Sequence, residues 1–217
     1  MRASRFFSAL SSVLFLALCA YAGAYVYPKA AQKSVPDVPR AEVTQTVTLR
    51  GVAVRYERVF DCAGTAENAQ RLSAGSPFGR DENGDELYSD VSAEYFSESD
   101  GFEYLSPGTL STMTADELDK ILSSPVEKSS SPRLVTGFAW YFIALVPDTV
   151  PVPETGRCRL LFDGFQNETD AYLVSASAAD NGRRVLLFRL TAGGEAYLSL
   201  RQTSANIDIN LQPTERR

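Results

Sequence analysis

The sequence contains no histidine. That absence removes the Ser-His-Asp triad, the Cys-His dyad and every histidine metal site. Lysine is nearly as scarce, standing only at Lys29, Lys33, Lys120 and Lys128. There are three cysteines: Cys19 lies in an apolar segment, while Cys62 and Cys158 are either free half-buried thiols or a pair formed outside the cell, where disulfides persist. No Gly-rich phosphate loop and no solenoid-type repeat is present. Metal chemistry would rest on carboxylates alone. Asp81, Asn83 and Asp85 alternate like calcium ligands, but an EF-hand loop starting at Asp81 needs glycine and glutamate where Glu86 and Ser92 stand. The segment reads as a solvated turn around Asn83-Gly84, a strong tight-turn pair. With 27 acidic residues a glycosidase-like carboxylate pair can always be assembled, so their number decides nothing. No catalytic, cofactor-binding or metal residue is assigned.

What is present begins at the N-terminus. Arg2 and Arg5 precede an uncharged, mostly apolar run from Phe6 to Tyr27. As a helix this run is roughly 33 Å long, enough to cross a bilayer. The basic end is expected to stay cytoplasmic, which places the rest of the chain outside as a single-pass membrane protein. Tyr21, Tyr25 and Tyr27 would sit at the outer interface. Two alternatives remain open: a signal peptide cleaved near Ala20-Tyr21-Ala22 or Ala22-Gly23-Ala24, and a lipoprotein modified at Cys19. Setting aside Arg2 and Arg5 leaves 19 basic against 27 acidic residues. Such a body repels the phosphates of nucleic acid. Residues 28–43, with Pro28, Pro36 and Pro39 among Lys29, Lys33 and Arg40, read as a spacer.

Beyond the spacer the pattern is strand. From Val43 to Phe60 apolar residues alternate, with Val47 and Leu49 on one parity and Val52, Val54 and Tyr56 on the other. The switch at Gly51 predicts a bulge or bend. Residues 61–90 read as short strands and turns, and residues 91–105 return to strand. Thr114 with Glu117 makes a capping box for a helix whose stripe is Leu118, Ile121 and Leu122. Ser/Pro-rich residues 124–132 mark a boundary. Strands are then predicted over 135–146, 158–162, 171–177, 185–190, 196–202 and 207–211, spaced as in a small antiparallel barrel. Trp140-Tyr141-Phe142 reads as a central strand feeding rings to two faces, with a ligand-stacking patch as the alternative. Asn167-Glu168-Thr169 fits the N-glycosylation pattern, which matters only on a eukaryotic secretory route.

Several segments, in order, resemble a known family. They are Gly51-Val-Ala-Val-Arg-Tyr-Glu57, Arg71-Leu-Ser-Ala-Gly75, Val91-Ser-Ala-Glu-Tyr-Phe-Ser-Glu-Ser-Asp-Gly-Phe-Glu103, Leu105-Ser-Pro-Gly-Thr-Leu110, Met113-Thr-Ala-Asp-Glu-Leu-Asp119 and Gly137-Phe-Ala-Trp-Tyr-Phe142. Together the chain resembles the HlyD-type periplasmic adaptor (membrane-fusion) proteins, in the short single-span version of Gram-positive anaerobes. Beyond the transmembrane helix over 1–27 and the linker over 28–43, the resemblance implies a mainly β fold: a lipoyl-like β-sandwich (barrel-sandwich hybrid) over 44–123 with a trailing helix. A loop over 124–132 and an antiparallel β-barrel over 133–217 would follow. It also implies a non-enzymatic, membrane-anchored extracytoplasmic adaptor for efflux or secretion. Its partner would be an integral-membrane transporter or an envelope-assembly protein, met through sheet edges and the face from Tyr95 to Tyr104. None of the four lysines lies in the sandwich, so no covalent cofactor is expected. Residues 61–90 are too short for the long helical hairpin of the full-length adaptors, and the chain ends in Gln212-Pro-Thr-Glu-Arg-Arg217 rather than the usual Gly-x-x-V-P segment. The alternative reading is a small-ligand or glycan-binding β-domain that stacks ligand on Trp140.

Overall fold

The computed structural model describes residues 15–17, 20–21, 43–152, 156–191, 197–198 and 200–211. The chain divides into two units, Met1–Glu42 and Val43–Arg217. In the first, residues 15–17 and 20–21 are helical. The expected membrane span from Phe6 to Tyr27 lies largely outside the described residues, as does nearly all of the linker. No helix among the described residues is long and apolar enough to cross a membrane.

The second unit is mainly β. Its strands are β1 (Val43–Val59), β2 (Ala63–Gly64), β3 (Gln70–Leu72), β4 (Pro77–Arg80), β5 (Glu86–Tyr88), β6 (Ala93–Phe96), β7 (Arg133–Pro147), β8 (Arg157–Phe162), β9 (Thr169–Ala176), β10 (Arg183–Leu190) and β11 (Gln202–Leu211). One α-helix, α1 (Ala115–Ser123), preceded by a single 3-10 turn at Leu110–Thr112, lies between β6 and β7. Six strands close on themselves in the order β1-β11-β8-β9-β10-β7 and back to β1. Closure falls at Arg50, Gly51 and Val52, which pair with β11 on one side and β7 on the other. A closed ring has no free edge to satisfy.

The barrel interior follows from alternation. Val47, Leu49 and Ala53 of β1, Trp140, Phe142, Ala144 and Val146 of β7, and Leu186, Phe188 and Leu190 of β10 point inward. Large rings face small residues such as Ala171 and Ala205, so the side chains fill the narrow barrel. Trp140 lies 5.3 Å from the Phe162 ring and 5.4 Å from the Tyr197 ring, and Phe142 meets Phe162 edge-on at 5.1 Å.

The parity change in β1 has a different cause from the one expected. No register shift occurs at Gly51. Positions 47, 49 and 53 keep one inward parity, while Val52 and Val54 are buried on the outer face. They are buried because α1 and the turn residues Phe102, Leu105 and Leu110 pack over the barrel wall there, together with Ile143, Val185 and Leu187. Gly51 instead permits close packing: a Cβ there would stand 2.3 Å from the Ile143 carbonyl oxygen and 2.7 Å from the Phe142 ring. The register shift lies between Val54 and Tyr56, opposite the stretch of β7 holding Gly137, whose φ is +87°.

α1 forms as expected. Thr114 caps it, its hydroxyl accepting from the Glu117 N–H while the Glu117 carboxylate accepts from the Thr114 N–H at 2.8 Å. The barrel completes its C-terminal end: Arg50 donates to the Leu122 carbonyl at 2.7 Å, and Gln202 donates to the carbonyls of Ile121 and Ser124.

Two expectations about organisation give way. The chain is not a sandwich followed by a barrel. β1, the first strand of the expected sandwich, is a stave of the barrel, and residues 60–132 form an excursion between β1 and β7. That excursion extends the lower part of β7 through β6 and β3 and adds a separate sheet, β2-β4-β5, around Leu72, Phe78, Ala93, Tyr95 and Leu134. The strand expected over 196–202 does not appear among the described residues of that range before Gln202. Tyr197 and Leu198 form a turn and β11 begins at Gln202. Tyr197 is apolar filling at the barrel end, 4.5 Å from the Phe165 ring, and not one step of an alternating strand.

Candidate functional site

The densest chemistry in the described residues is a buried cluster of six charges where the excursion meets the barrel. β1 contributes Arg55 and Glu57, β7 contributes Arg133 at its first residue, and the turn after β6 contributes Asp100 and Glu103. Arg201 arrives just before β11. Arg55, Arg133 and Arg201 are 4%, 7% and 7% exposed, so this is not a solvated surface network.

Local structure aims each group. Asp100 accepts from the Phe102 N–H at 3.2 Å, an Asx-type turn completed by Gly101 with φ of +81°. Glu103 accepts from the Asp100 N–H at 2.6 Å. The two carboxylates are thereby presented on one side of the turn. Arg133 donates to Asp100 at 2.6 Å, to Glu103 at 3.1 Å and to Glu57 at 3.3 Å, and its guanidinium lies 5.0 Å from the Phe96 ring. Arg201 donates to Asp100 at 2.7 Å, to the Ala53 carbonyl at 3.3 Å and to Glu57. Arg55 takes no carboxylate. It donates to the Leu200 carbonyl at 3.1 Å and to the Tyr197 carbonyl, with its guanidinium 5.4 Å from the Trp140 ring.

Three cations and three anions balance. Burial lowers the Arg55 pKa to about 10, with Arg201 adding repulsion. Burial pushes the Asp100 carboxyl up, but hydrogen bonds and charge from Arg201 and Arg133 outweigh it and hold the group below its ordinary value. Burial likewise opposes the charge on Arg201, and Glu57 and Asp100 reverse the effect, so its pKa is raised. The oxygen Oε1 of Glu57 and the Nε of Arg133 stay buried without a partner. Chemically, the arrangement ties the excursion to the barrel wall through mutually neutralised charges.

Arg55, Glu57, Asp100 and Glu103 belong to the Gly51–Glu57 and Val91–Glu103 segments that carried the family resemblance, and the fold brings them together. Arg133 and Arg201 were missed. Their only sequence signal is an arginine at the start of an apolar strand, which surface arginines share.

The remaining sequence candidates lie elsewhere. Trp140 and Phe142 are inside the barrel, so the ligand-stacking reading of Trp140 does not hold; Tyr141 alone of the three faces outward. Tyr95 is fully buried in the core of the excursion, whereas Tyr104 is 66% exposed, so the two do not form one docking face. Asp81 accepts from the N–H groups of Asn83 and Asp85, both at 2.9 Å, which makes it the cap of the β4–β5 turn. Those bonds, led by the one from Asp85, lower its pKa. No group of acidic and cysteine side chains among the described residues is arranged to hold a metal ion. Cys62 and Cys158 are separate free thiols, and burial raises the Cys158 pKa to about 11. A shallow outer groove lined by Thr46, Arg159, Leu161, Glu168, Asn206 and Asp208 crosses β1, β11 and β8. Its polar groups pair with one another, Thr46 with Asp208 at 2.6 Å and Arg159 with Glu168 at 3.5 Å.

No protein-family model matches the sequence, and no curated protein matches it. Among solved structures the chain is similar to one described as the membrane fusion protein Spr0693 from Streptococcus pneumoniae R6, at 8% identity and a TM-score of 0.41, covering 76% of this chain and 100% of that one.

Proposed function

We propose that this chain is a non-catalytic, membrane-anchored adaptor or scaffold that works outside the cytoplasm, related to the membrane-fusion proteins of efflux and secretion. The observation that carries this reading is the convergence of the resemblance-bearing residues Glu57, Asp100 and Glu103 on an internal ionic tie, with Arg55 buried beside it on backbone carbonyls. Residues used this way serve the shape of a docking body. The absence of histidine and the basic, apolar N-terminus support the same reading from the sequence.

Docking falls to the excursion. Among the described residues β3 pairs only with β6, and β5 only with β4, so each has one edge without a neighbouring strand there. Tyr88, the last residue of β5, and Val91 just beyond it are 56% and 42% exposed. An open edge flanked by apolar side chains suits strand addition by a partner. The partner in this reading is an integral-membrane transporter or an envelope-assembly protein.

A photo-crosslinking residue placed at Tyr88 or Val91 in the full chain, activated in cells before mild detergent extraction, tests this. The expected result is a crosslinked integral-membrane or envelope protein that is lost when the same residue is placed at Val174, on the exposed wall of the barrel. Recovery of the chain alone from both positions overturns the proposal.

A further inference from the structure

Cross-strand partners in an antiparallel sheet share a face, with Cβ atoms about 5 Å apart. On the barrel exterior Arg157 stands opposite Tyr172, Tyr172 opposite Arg189, and Arg189 opposite Tyr141. Four adjacent strands, β8, β9, β10 and β7, therefore present Arg-Tyr-Arg-Tyr in one line. α1 covers the neighbouring positions Ile143, Val185 and Leu187, and the row runs along the margin of that cover.

Each member is held differently. Tyr172 is 58% exposed, yet its phenol end lies across Gly156, where a Cβ would meet Cζ at 2.7 Å and Oη at 2.9 Å. A glycine at that place lets the ring settle on the backbone while most of it stays open. Tyr141 is half-buried against the cluster beneath α1. Arg157 shares Asp170 at 3.3 Å, and Arg159 beside it pairs with Glu168 and Asp170. Arg189 is exposed, and no carboxylate among the described residues pairs with it. A cation between two tyrosines that no described carboxylate pairs with is out of character for a chain of net charge −6.

We infer that this row binds an acidic glycan, a chain in which an isolated carboxylate or phosphate lies between neutral sugar rings. The charge pattern selects this class. Tyr141 and Tyr172 are two strands apart, about 10 Å, with Arg189 between them. That is the reach of a short run of sugars whose rings lie on the tyrosines and whose acidic group meets the guanidinium. A nucleic acid carries a charge on every nucleotide and needs several cations in line; here Arg189 is a single cation without a carboxylate among the described residues, and Arg157 is already shared with Asp170. An acidic peptide would answer the arginine but leaves the two ring surfaces without a role. Rigid strands hold all the side chains, which limits the ordering cost of binding. The inference does not depend on the adaptor reading: it uses a different module and a different face.

The test uses the full chain in mild detergent, titrated with a hyaluronan oligosaccharide, a phosphomannan oligosaccharide, neutral dextran, oligo(dT) and anionic phosphatidylglycerol vesicles. Binding of hyaluronan or phosphomannan, without dextran, is expected. R189Q and Y172S should each weaken that binding by about tenfold, the scale of one charge-assisted or stacking contact. Both positions are exposed, so their melting temperatures should match that of the parent, which separates loss of binding from loss of fold. Failure to bind both acidic glycans overturns the inference. So does equal binding of dextran, tighter binding of oligo(dT) or vesicles, or full retention of glycan binding in both variants.

Discussion

Asp100 lies between two guanidiniums, and its loss leaves Arg133 without its shortest partner and Arg201 with Glu57 as its one remaining carboxylate. Arg133 and Arg201 approach it at 2.6 and 2.7 Å, and neither has solvent to turn to. D100N keeps the shape and removes the charge. Breaking one member of a buried ionic group costs about 3–5 kcal/mol, so urea unfolding at pH 7 should show a lower midpoint with an unchanged slope. The pH dependence follows in sign. Since the folded Asp100 carboxyl is held below 3.8, its contribution is complete above that ordinary value and is lost as pH falls through the lower, folded value. Below about pH 4 the parent should lose stability faster than D100N; parallel curves would show that Asp100 does not carry the ionic tie. The sequence made Arg55, Glu57, Asp100 and Glu103 visible as motif residues but not as a cluster. Their shared partners stand 33 residues away, for Arg133 and Asp100, and 101 residues away, for Arg201 and Asp100. Local patterns carry no information about such pairings.

At the scale of elements, what was legible divides by the range of the cause. α1 could be read because everything that starts and stops it is within a few residues: the Thr114–Glu117 box, the stripe of Leu118 and Leu122, and the Ser-Pro break. β1 was readable as a strand but not as one buried on both faces, because its outer cover comes from residues 102–122. The parity switch near Gly51 recorded that cover, and no local bend was needed. Two substitutions separate these effects. L118A removes a fully buried side chain from beneath α1 and should cost about 2–5 kcal/mol. G51A forces the Ile143 carbonyl or the Phe142 ring to move and should cost on the order of 1–3 kcal/mol by overpacking. Thermal or urea melts of both, against an S123A control on the exposed end of the helix, measure the difference. A neutral G51A would mean that β1 and β7 can separate at the closure point without loss.

The whole molecule is organised by one shared strand. β1 lies against β11 over Val43–Val52 and against β7 over most of Arg50–Val59, so the last strand and the middle strand of the unit both depend on the first. A division at residues 124–132, natural from the Ser/Pro-rich composition, cuts the chain between the two halves of one barrel. Residues 133–217 alone would leave the inner edges of β7 and β11 unpaired, with Phe142 and Ile207 open to water along the missing stave. Unpaired edges beside an apolar interior associate with one another. That fragment is therefore expected to be aggregated or molten, with little near-ultraviolet dichroism from Trp140. Supplying residues 43–132 as a second polypeptide should restore a soluble one-to-one complex and the Trp140 signal, because the ten-residue register from Val43–Leu211 to Val52–Gln202 can form between chains as it does within one. A soluble, cooperatively folding 133–217 fragment would show that the barrel closes without β1 and that the two halves are independent modules after all.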